Sequence, residues 1–344
     1  MVNVMTDNSH LTREYSQRLG LLRADQLQAA LDRFDLGALL DAQAAPGGLF
    51  GQNVLITSTK GGYVLRGAPH YDGQFEKERF FSRLVHEQTQ AEAPWPFLIE
   101  RSTELLGWSY ALMPLLPGEH LSDSELQRSL TTEDRVAVAC AMGQHLAAMQ
   151  SASWDEPASY DYAADELAPL GEPFAEWFTA GTRAWLDRAV QASDATTPRD
   201  VEWVESIIAS ARDGMAVPFA PTIVHTDYAE GNVVAERAGG GWRINGVFDL
   251  GDAYIGDGEY DLARLACWYA RMSDAHLRAF VDAYAAVRPL RHGFAERTRL
   301  YVLTDRLILW EYGQRNKIWF KPGVGLREWA EPFVTNSIAM LPPT

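Results

Sequence analysis

The chain has 344 residues, 47% of them hydrophobic, with two cysteines and a formal net charge of −16 at pH 7. That length and apolar content support one large or two moderate domains with a packed core, and no run of about 18 apolar residues exists to span a membrane. The distant Cys140 and Cys267 give neither a disulfide framework nor a metal spacing, while the acidity disfavours nucleic acid and anionic membranes and concentrates cationic ligands, besides serving solubility.

Met1 to His10 is polar and lacks the apolar stretch of a secretion signal, so a cytoplasmic protein is expected. Residues 11 to 45 are predicted helical, with Asp25 as N-cap, Leu27, Leu31 and Phe34 at i, i+4, i+7, and a stop near Pro46-Gly47-Gly48. From Gly47 to Gly67 the pattern is strand, turn, strand: Asn53 to Thr57, then Lys60-Gly61-Gly62, then Tyr63 to Arg66. Gly47, Gly48 and Gly51 would let backbone N–H groups approach a phosphate, although the segment is neither a Walker A loop nor G-x-G-x-x-G.

Phe75 to Thr89 is predicted as a helix whose inner face carries Phe75, Glu78, Phe81 and Val85. A glutamate among apolar residues needs a cationic partner, for which Arg66 is the natural candidate; Glu76 competes with Glu78 for that role. Two further strands, Pro94 to Glu100 and Ser109 to Met113, complete a small antiparallel sheet, and Pro114 to Gly118 is a stiff connector that sets a domain boundary near residue 117. Beyond it the chain turns helical. Thr131 or Thr132 caps a helix with Val138, Met142, Leu146 and Met149 on one face, Cys140 buried and His145 packed. Residues 155 to 200 are ambiguous helices with Trp177 and Trp185, and Val201 to Ala211 is another helix.

Ile223 to Leu265 carries the chemistry. His225, Asp227 and Asn232 form H-x-D-x-x-x-x-N on a loop, followed by strands Val233 to Glu236 and Trp242 to Phe248 joined by Arg237-Ala238-Gly239-Gly240-Gly241. Folding that hairpin sets Asn232 beside Asp249, with Asp227 in the same mouth. Two carboxylates and an amide suit Mg²⁺, which takes one or two protein carboxylates plus substrate phosphates. Asp227, off the metal, would accept or orient the proton of an attacking hydroxyl. Helices follow at Tyr260 to Ala270, His276 to Val287 and Arg297 to Tyr312, and Trp310, Trp319, Phe320 and Trp329 could floor a ligand cleft. Asp257 and Asp261 are expected to bond helix and loop N–H groups, and Asp252 and Glu230 to face substrate ammonium groups.

His225, Asp227, Asn232, the triplet Asp249-Leu250-Gly251 and the tail Gly256-Asp257-Gly258-Glu259-Tyr260-Asp261 resemble the catalytic loop and metal triplet of aminoglycoside phosphotransferases and hygromycin kinases. Thr226 stands where these relatives have Gly, and Leu250 where D-F-G has Phe. The resemblance implies an α+β, two-lobed protein-kinase-like fold: residues 1–117 as a nucleotide-binding lobe with leading helix and hinge, and 118–344 as a mainly helical catalytic and substrate-binding lobe. ATP or GTP with Mg²⁺ would lie between them. Asp227 and His225 would belong to the catalytic loop, and Asn232 and Asp249 would hold the metal. Gly51-Gln52-Asn53 resembles the nucleotide-positioning loop, and Met113, Pro114 and Leu116 fall where kinases meet the adenine edge. Arg66 occupies the position of the strand lysine, gripping phosphates with a fork that stays charged, and Glu78 fixes it. The implied reaction is phosphorylation of a hydroxyl on a small cationic molecule, such as the antibiotic hygromycin, with Asp227, Glu230, Asp252 and Trp310 toward the acceptor. A metabolic kinase for an amino alcohol, sugar or nucleoside would share these residues, and a pseudokinase would bind nucleotide without turnover. A monomer or homodimer is expected.

Overall fold

The computed structural model describes residues 9–45 and 51–339. Its small lobe is built on a five-stranded antiparallel sheet in the spatial order Leu39–Ala44, Asn53–Ser58, Gly61–Gly67, Tyr110–Pro114, Leu98–Glu100. Side chains alternate across a strand, so Val54, Ile56, Leu65 and Leu112 point to one face and Val64, Ala111 and Met113 to the other. The helix Ala24–Asp32 covers the first face with Leu27 and Leu31, both fully buried. Phe75, from the helix Gln74–Gln88, covers the second.

The predicted helix over residues 11–45 is only partly there. Arg13–Ser16 and Gly20–Leu22 form a hairpin, the helix is confined to Ala24–Asp32, and Leu39–Ala44 is the sheet's edge strand. The apolar spacing of Leu27 and Leu31 was a true helical signal, but Asp35 at φ 53° and Gly37 at φ 89° turn the chain, leaving Phe34 outside the helix. A Cβ at Gly37 would come within 2.6 Å of Thr59 Oγ1. The N-cap is Arg23, whose N–H donates to Gln26 Oε1 at 3.1 Å, whereas Asp25 pairs with Arg23. The strands predicted at 53–57, 63–66 and 109–113 are present, as is the helix that follows Gly73. Gly47 and Gly48 lie outside the described residues.

After Pro114 the chain crosses to Glu119–His120, an edge strand of a three-stranded sheet with Val233–Ala238 and Gly241–Val247. The large lobe is mainly helical, with Thr132–Met149, Phe174–Ala192, Pro198–Ser210, Glu259–Met272, Asp274–Ala285, Phe294–Asn316 and Leu326–Ala339 as its longer helices. Thr131 caps the first of these, accepting from the Asp134 N–H in a capping box. A four-stranded sheet, Glu166–Pro169, Ala158–Asp161, Tyr254–Gly256 and Thr222–Val224, delivers the chain to residue 225. The strands at 158–169 and the last helix were not foreseen; four residues per strand are too few to betray a period. Cys140 is only half-buried, and Cys267 is the buried cysteine. No helix among the described residues is long and apolar enough to cross a membrane.

His145 is packed, as its helical face required. It stacks on Tyr228, whose hydroxyl donates to the Met142 carbonyl at 3.0 Å and so accepts from His145 Nδ1 at 3.0 Å. Nε2 is left buried with no partner among the described residues, and burial lowers the imidazole pKa to about 4, with His225 adding to the shift. The unfolded chain takes up this proton near 6.5 and the folded chain does not, so stability is full above about 6.5 and falls as the pH drops. Denaturant titrations of wild type and His145→Phe at pH 7.5 and below should show a component on the order of 3 kcal/mol lost by pH 4 in the wild type alone.

Candidate active site

The strand Thr222–Val224 ends in His225-Thr226-Asp227, where Thr226 adopts φ 72°, a left-handed conformation that a β-branched residue resists. What holds it is Asp261, in the first turn of the helix Glu259–Met272. Its fully buried carboxylate accepts the N–H of His225 at 2.7 Å and of Thr226 at 2.9 Å. Burial pushes this carboxyl up to about 6 against the opposing pull of His225, the two N–H groups and Arg264.

His225 is fully buried and does not reach the cleft. The Asp227 N–H points at its Nδ1 at 3.2 Å, so the proton sits on Nε2, which donates to the Phe248 carbonyl at 3.0 Å. The catalytic role expected for His225 is therefore corrected: it ties the loop to the end of the hairpin and acts as a positioning residue. Asp227 itself is half-exposed. Asn232 Nδ2 donates to its backbone oxygen at 2.8 Å and to Oδ2 at 2.9 Å, while Arg264 pairs with Oδ1. Arg264 also pairs with Asp305 at 2.9 Å and donates to the Tyr228 carbonyl. The sequence reading missed it, although Asp261 and Arg264 are one turn apart on one helix face.

The hairpin closes as its glycines suggested. Ala238 pairs with Gly241, and Gly239 and Gly240 at φ 59° and 82° make the two-residue turn that matches strand twist. At the open end Val233 pairs with Val247 and the Phe248 N–H donates to the Asn232 carbonyl at 3.0 Å. Asn232 and Asp249 thus line the same mouth. Asp249, at φ 68°, accepts from Arg66 at 2.8 Å, and the same guanidinium nitrogen donates to Glu78 at 2.9 Å. The competing Glu76 pairs instead with Arg101. Glu78 is buried, and loss of water drives its carboxyl up to about 7 although Arg66 opposes the shift.

Above that mouth lies a cavity of about 560 Å³. Asn53, Arg66, Met113, Pro114 and Leu116 line its upper side, and Asn232, Phe248 and Asp249 the lower. His120, unforeseen, also lines it and packs on Phe248 with ring centroids 5.4 Å apart. Arg66 Nε and Asn53 Oδ1 are buried there with no partner among the described residues. Two of the residues assigned to the nucleotide are not in this lining. Gln52 is buried with its amide on the Gly67 and Ala68 carbonyls, because strand alternation turns Asn53 inward and Gln52 away. The Gly51 carbonyl is held by Ser16 Oγ.

Of the residues expected to face the acceptor, Glu230 precedes Asn232 in a short turn and accepts from Tyr269 at 2.8 Å. Asp252 is exposed. The surrounding walls still raise its carboxyl pKa by displacing water, Lys77 opposes, and Asp249 and Asp227 add to the rise. Trp310 is not at the cleft: it is fully buried, donates to Thr196 Oγ1 at 2.9 Å and packs on Phe320 and Trp329, so the acceptor contact expected of it is withdrawn.

The donor set fits a magnesium ion that arrives with a nucleotide. No cluster of three His, Cys, Asp or Glu able to hold a metal occurs among the described residues. The Asn232 amide nitrogen is locked onto Asp227, which leaves its oxygen, and Asp249 has its second oxygen, free of these bonds. Two protein oxygens completed by phosphate and water match the preference of Mg²⁺.

The chain is 25% identical over 276 residues to a homoserine kinase of Methylobacillus glycogenes, covering 77% of each. Its fold is similar to that of an aminoglycoside phosphotransferase solved with ADP and hygromycin B, at TM-score 0.59 and 18% identity over 92% of this chain and 98% of that one. It is also similar to an aminoglycoside 2'-phosphotransferase solved with GDP, at TM-score 0.61 and 15% identity over 95% of this chain and 100% of that one. A sequence model of the phosphotransferase enzyme family matches residues 41–297, and the chain belongs to that family, as a small-molecule kinase of the two-lobed protein-kinase-like fold.

Proposed function

We propose that the protein transfers the terminal phosphoryl group of ATP or GTP to a hydroxyl of a small, amine-bearing molecule in the cytoplasm. The observation that carries the reading is the mouth of the hairpin, where Asp227 is held by Asn232 and Arg264 while Asn232 and Asp249 turn oxygens toward the cavity. Asp227 orients the acceptor hydroxyl and takes its proton; Asn232 and Arg264 keep that carboxylate aimed. Arg66, seated on Glu78, offers its unpartnered Nε to a phosphate oxygen. A bound Mg²⁺, held by Asn232 and Asp249, would neutralise phosphate charge. Pro114 and Leu116 also line the cavity, and their backbone would meet the edge of a base.

Two acceptor classes have support. The net charge of −16 and the fold neighbours favour an aminoglycoside such as hygromycin, and the curated relatives favour an amino alcohol such as homoserine. Separating them takes acceptor-dependent ADP release with product mass, run on hygromycin B and L-homoserine side by side. An intact Asp227, Asn232 and Asp249 set argues against a binding-only pseudokinase.

Asp227→Ala should lower kcat by about 10²–10⁴-fold while leaving the dissociation constant for Mg-ATP within a few-fold, because a general base acts on the acceptor proton. Asp249→Ala should weaken Mg-ATP binding, read by calorimetry, by about tenfold or more, as a charged ligand is lost. Equal losses of nucleotide affinity in both variants would remove the division of labour assigned to the two aspartates.

A further inference from the structure

Behind Asp227 the chain of charges runs one residue beyond Asp305. Arg264 donates through two arms of its fork: Nη2 meets Asp227 Oδ1, and Nε meets Asp305 Oδ1 at 2.9 Å. The second oxygen of Asp305 is taken by Arg306, through Nε at 3.1 Å and also through Nη2. Asp305 is 4% exposed and Arg306 fully buried, so both are shut off from bulk water. Adjacent residues on a helix do not face each other, and Arg306 is turned back onto its neighbour inside an aromatic enclosure. Its guanidinium lies 4.4 Å from the ring centroid of Phe333, 5.0 Å from that of Trp268 and 5.5 Å from that of Trp329. Phe333 and Trp329 belong to the last helix, Leu326–Ala339, and Trp268 to the helix that carries Arg264.

We propose that Arg306, closed in by the last helix, is a positioning residue for phosphoryl transfer: by occupying Asp305 Oδ2 it keeps Arg264 bonded to Asp227. An arginine fork naturally grips one carboxylate with two parallel bonds. In Arg264 that fork is divided between two carboxylates. Were Asp305 Oδ2 vacated, a buried oxygen would lack a donor, and Nη2 of Arg264 sits on the same fork as the Nε already bound to Asp305. Asp227 is half-exposed and can replace a lost N–H with water, whereas Asp305 cannot. The competition therefore goes to Asp305, and Asp227 loses the donor that aims it.

The proposal rests on the phosphotransferase reading, and a structural and a kinetic measurement keep their failures apart. Replacing a buried ion by an apolar side chain of similar volume is often tolerated, and in Arg306→Met Asp305 keeps Arg264 as counter-ion. A crystal structure of that variant should show both Asp305 oxygens on Arg264, with Nη2 out of hydrogen-bond reach of Asp227. Nη2 still bonded to Asp227 overturns the proposal whatever the activity. Kinetics use whichever of hygromycin B and L-homoserine the wild type phosphorylates. Arg306→Met should lower kcat by about tenfold or more with the KM for ATP within about twofold. Arg306→Lys, whose ammonium still reaches Oδ2, should recover most of that loss. Phe333→Leu opens the enclosure and keeps all four charges; it should give the same loss in kcat alone at about threefold, and serves where Arg306→Met does not fold. In an Arg264→Met background Arg306→Met should cost less than about a further twofold, since effects passing through one residue do not add. A kcat loss matched by a rise in the KM for ATP, or repeated in full without Arg264, marks general loosening of the helices and overturns the proposal. A wild type inert toward both acceptors removes the phosphotransferase reading, while the crystal structure still decides the competition for Arg264.

Discussion

The site depends on one buried carboxylate accepting two backbone N–H groups. Without Asp261 the peptide at Thr226 would relax out of a conformation that costs on the order of 1–3 kcal/mol, and the side chain of Asp227 would leave the mouth of the hairpin. The carboxylate is expensive to bury, as its raised pKa records. It suits the turn because a carboxylate offers two acceptor oxygens, one to each of the adjacent N–H donors. His225 adds a second tie from the same turn to the Phe248 carbonyl, which joins the loop bearing Asp227 to the segment that leads into Asp249.

A second constraint joins the lobes. Arg66 belongs to the small-lobe sheet, Glu78 to its helix and Asp249 to the large-lobe hairpin, and one guanidinium nitrogen meets both carboxylates. Removing either buried member, Arg66 or Glu78, leaves uncompensated charge, which is why the pair is better understood as alignment than as net stabilisation. Arg264 repeats the arrangement deeper in the large lobe, between Asp227 and Asp305. Each of the two aspartates at the mouth thus has an arginine that also meets a second carboxylate.

The hairpin was readable because several local signals agreed: strand-like runs on either side, Gly239-Gly240 at the turn, and the short separation that forces Asn232 and Asp249 together. Glu78 was readable because a glutamate on an apolar helical stripe must have a partner. Other features depended on tertiary context. Nothing local distinguishes Gln52 from Asn53 until strand alternation assigns one to the cavity and the other to the Gly67 and Ala68 carbonyls. Trp310 looked like a cleft aromatic only because burial of a 23-residue helix on all sides is not visible in its spacing. His225 shares a motif with Asp227, yet the fold turns one ring inward and the other side chain out.

Charge illustrates the same difference in scale. The total of −16 is a sum over the whole surface, and beyond about 8 Å such charges are screened at physiological ionic strength. It steers what approaches the protein; it does not decide what is held beside Asp227. That decision belongs to the few groups within contact distance of the acceptor, where water is scarce and each charge counts more.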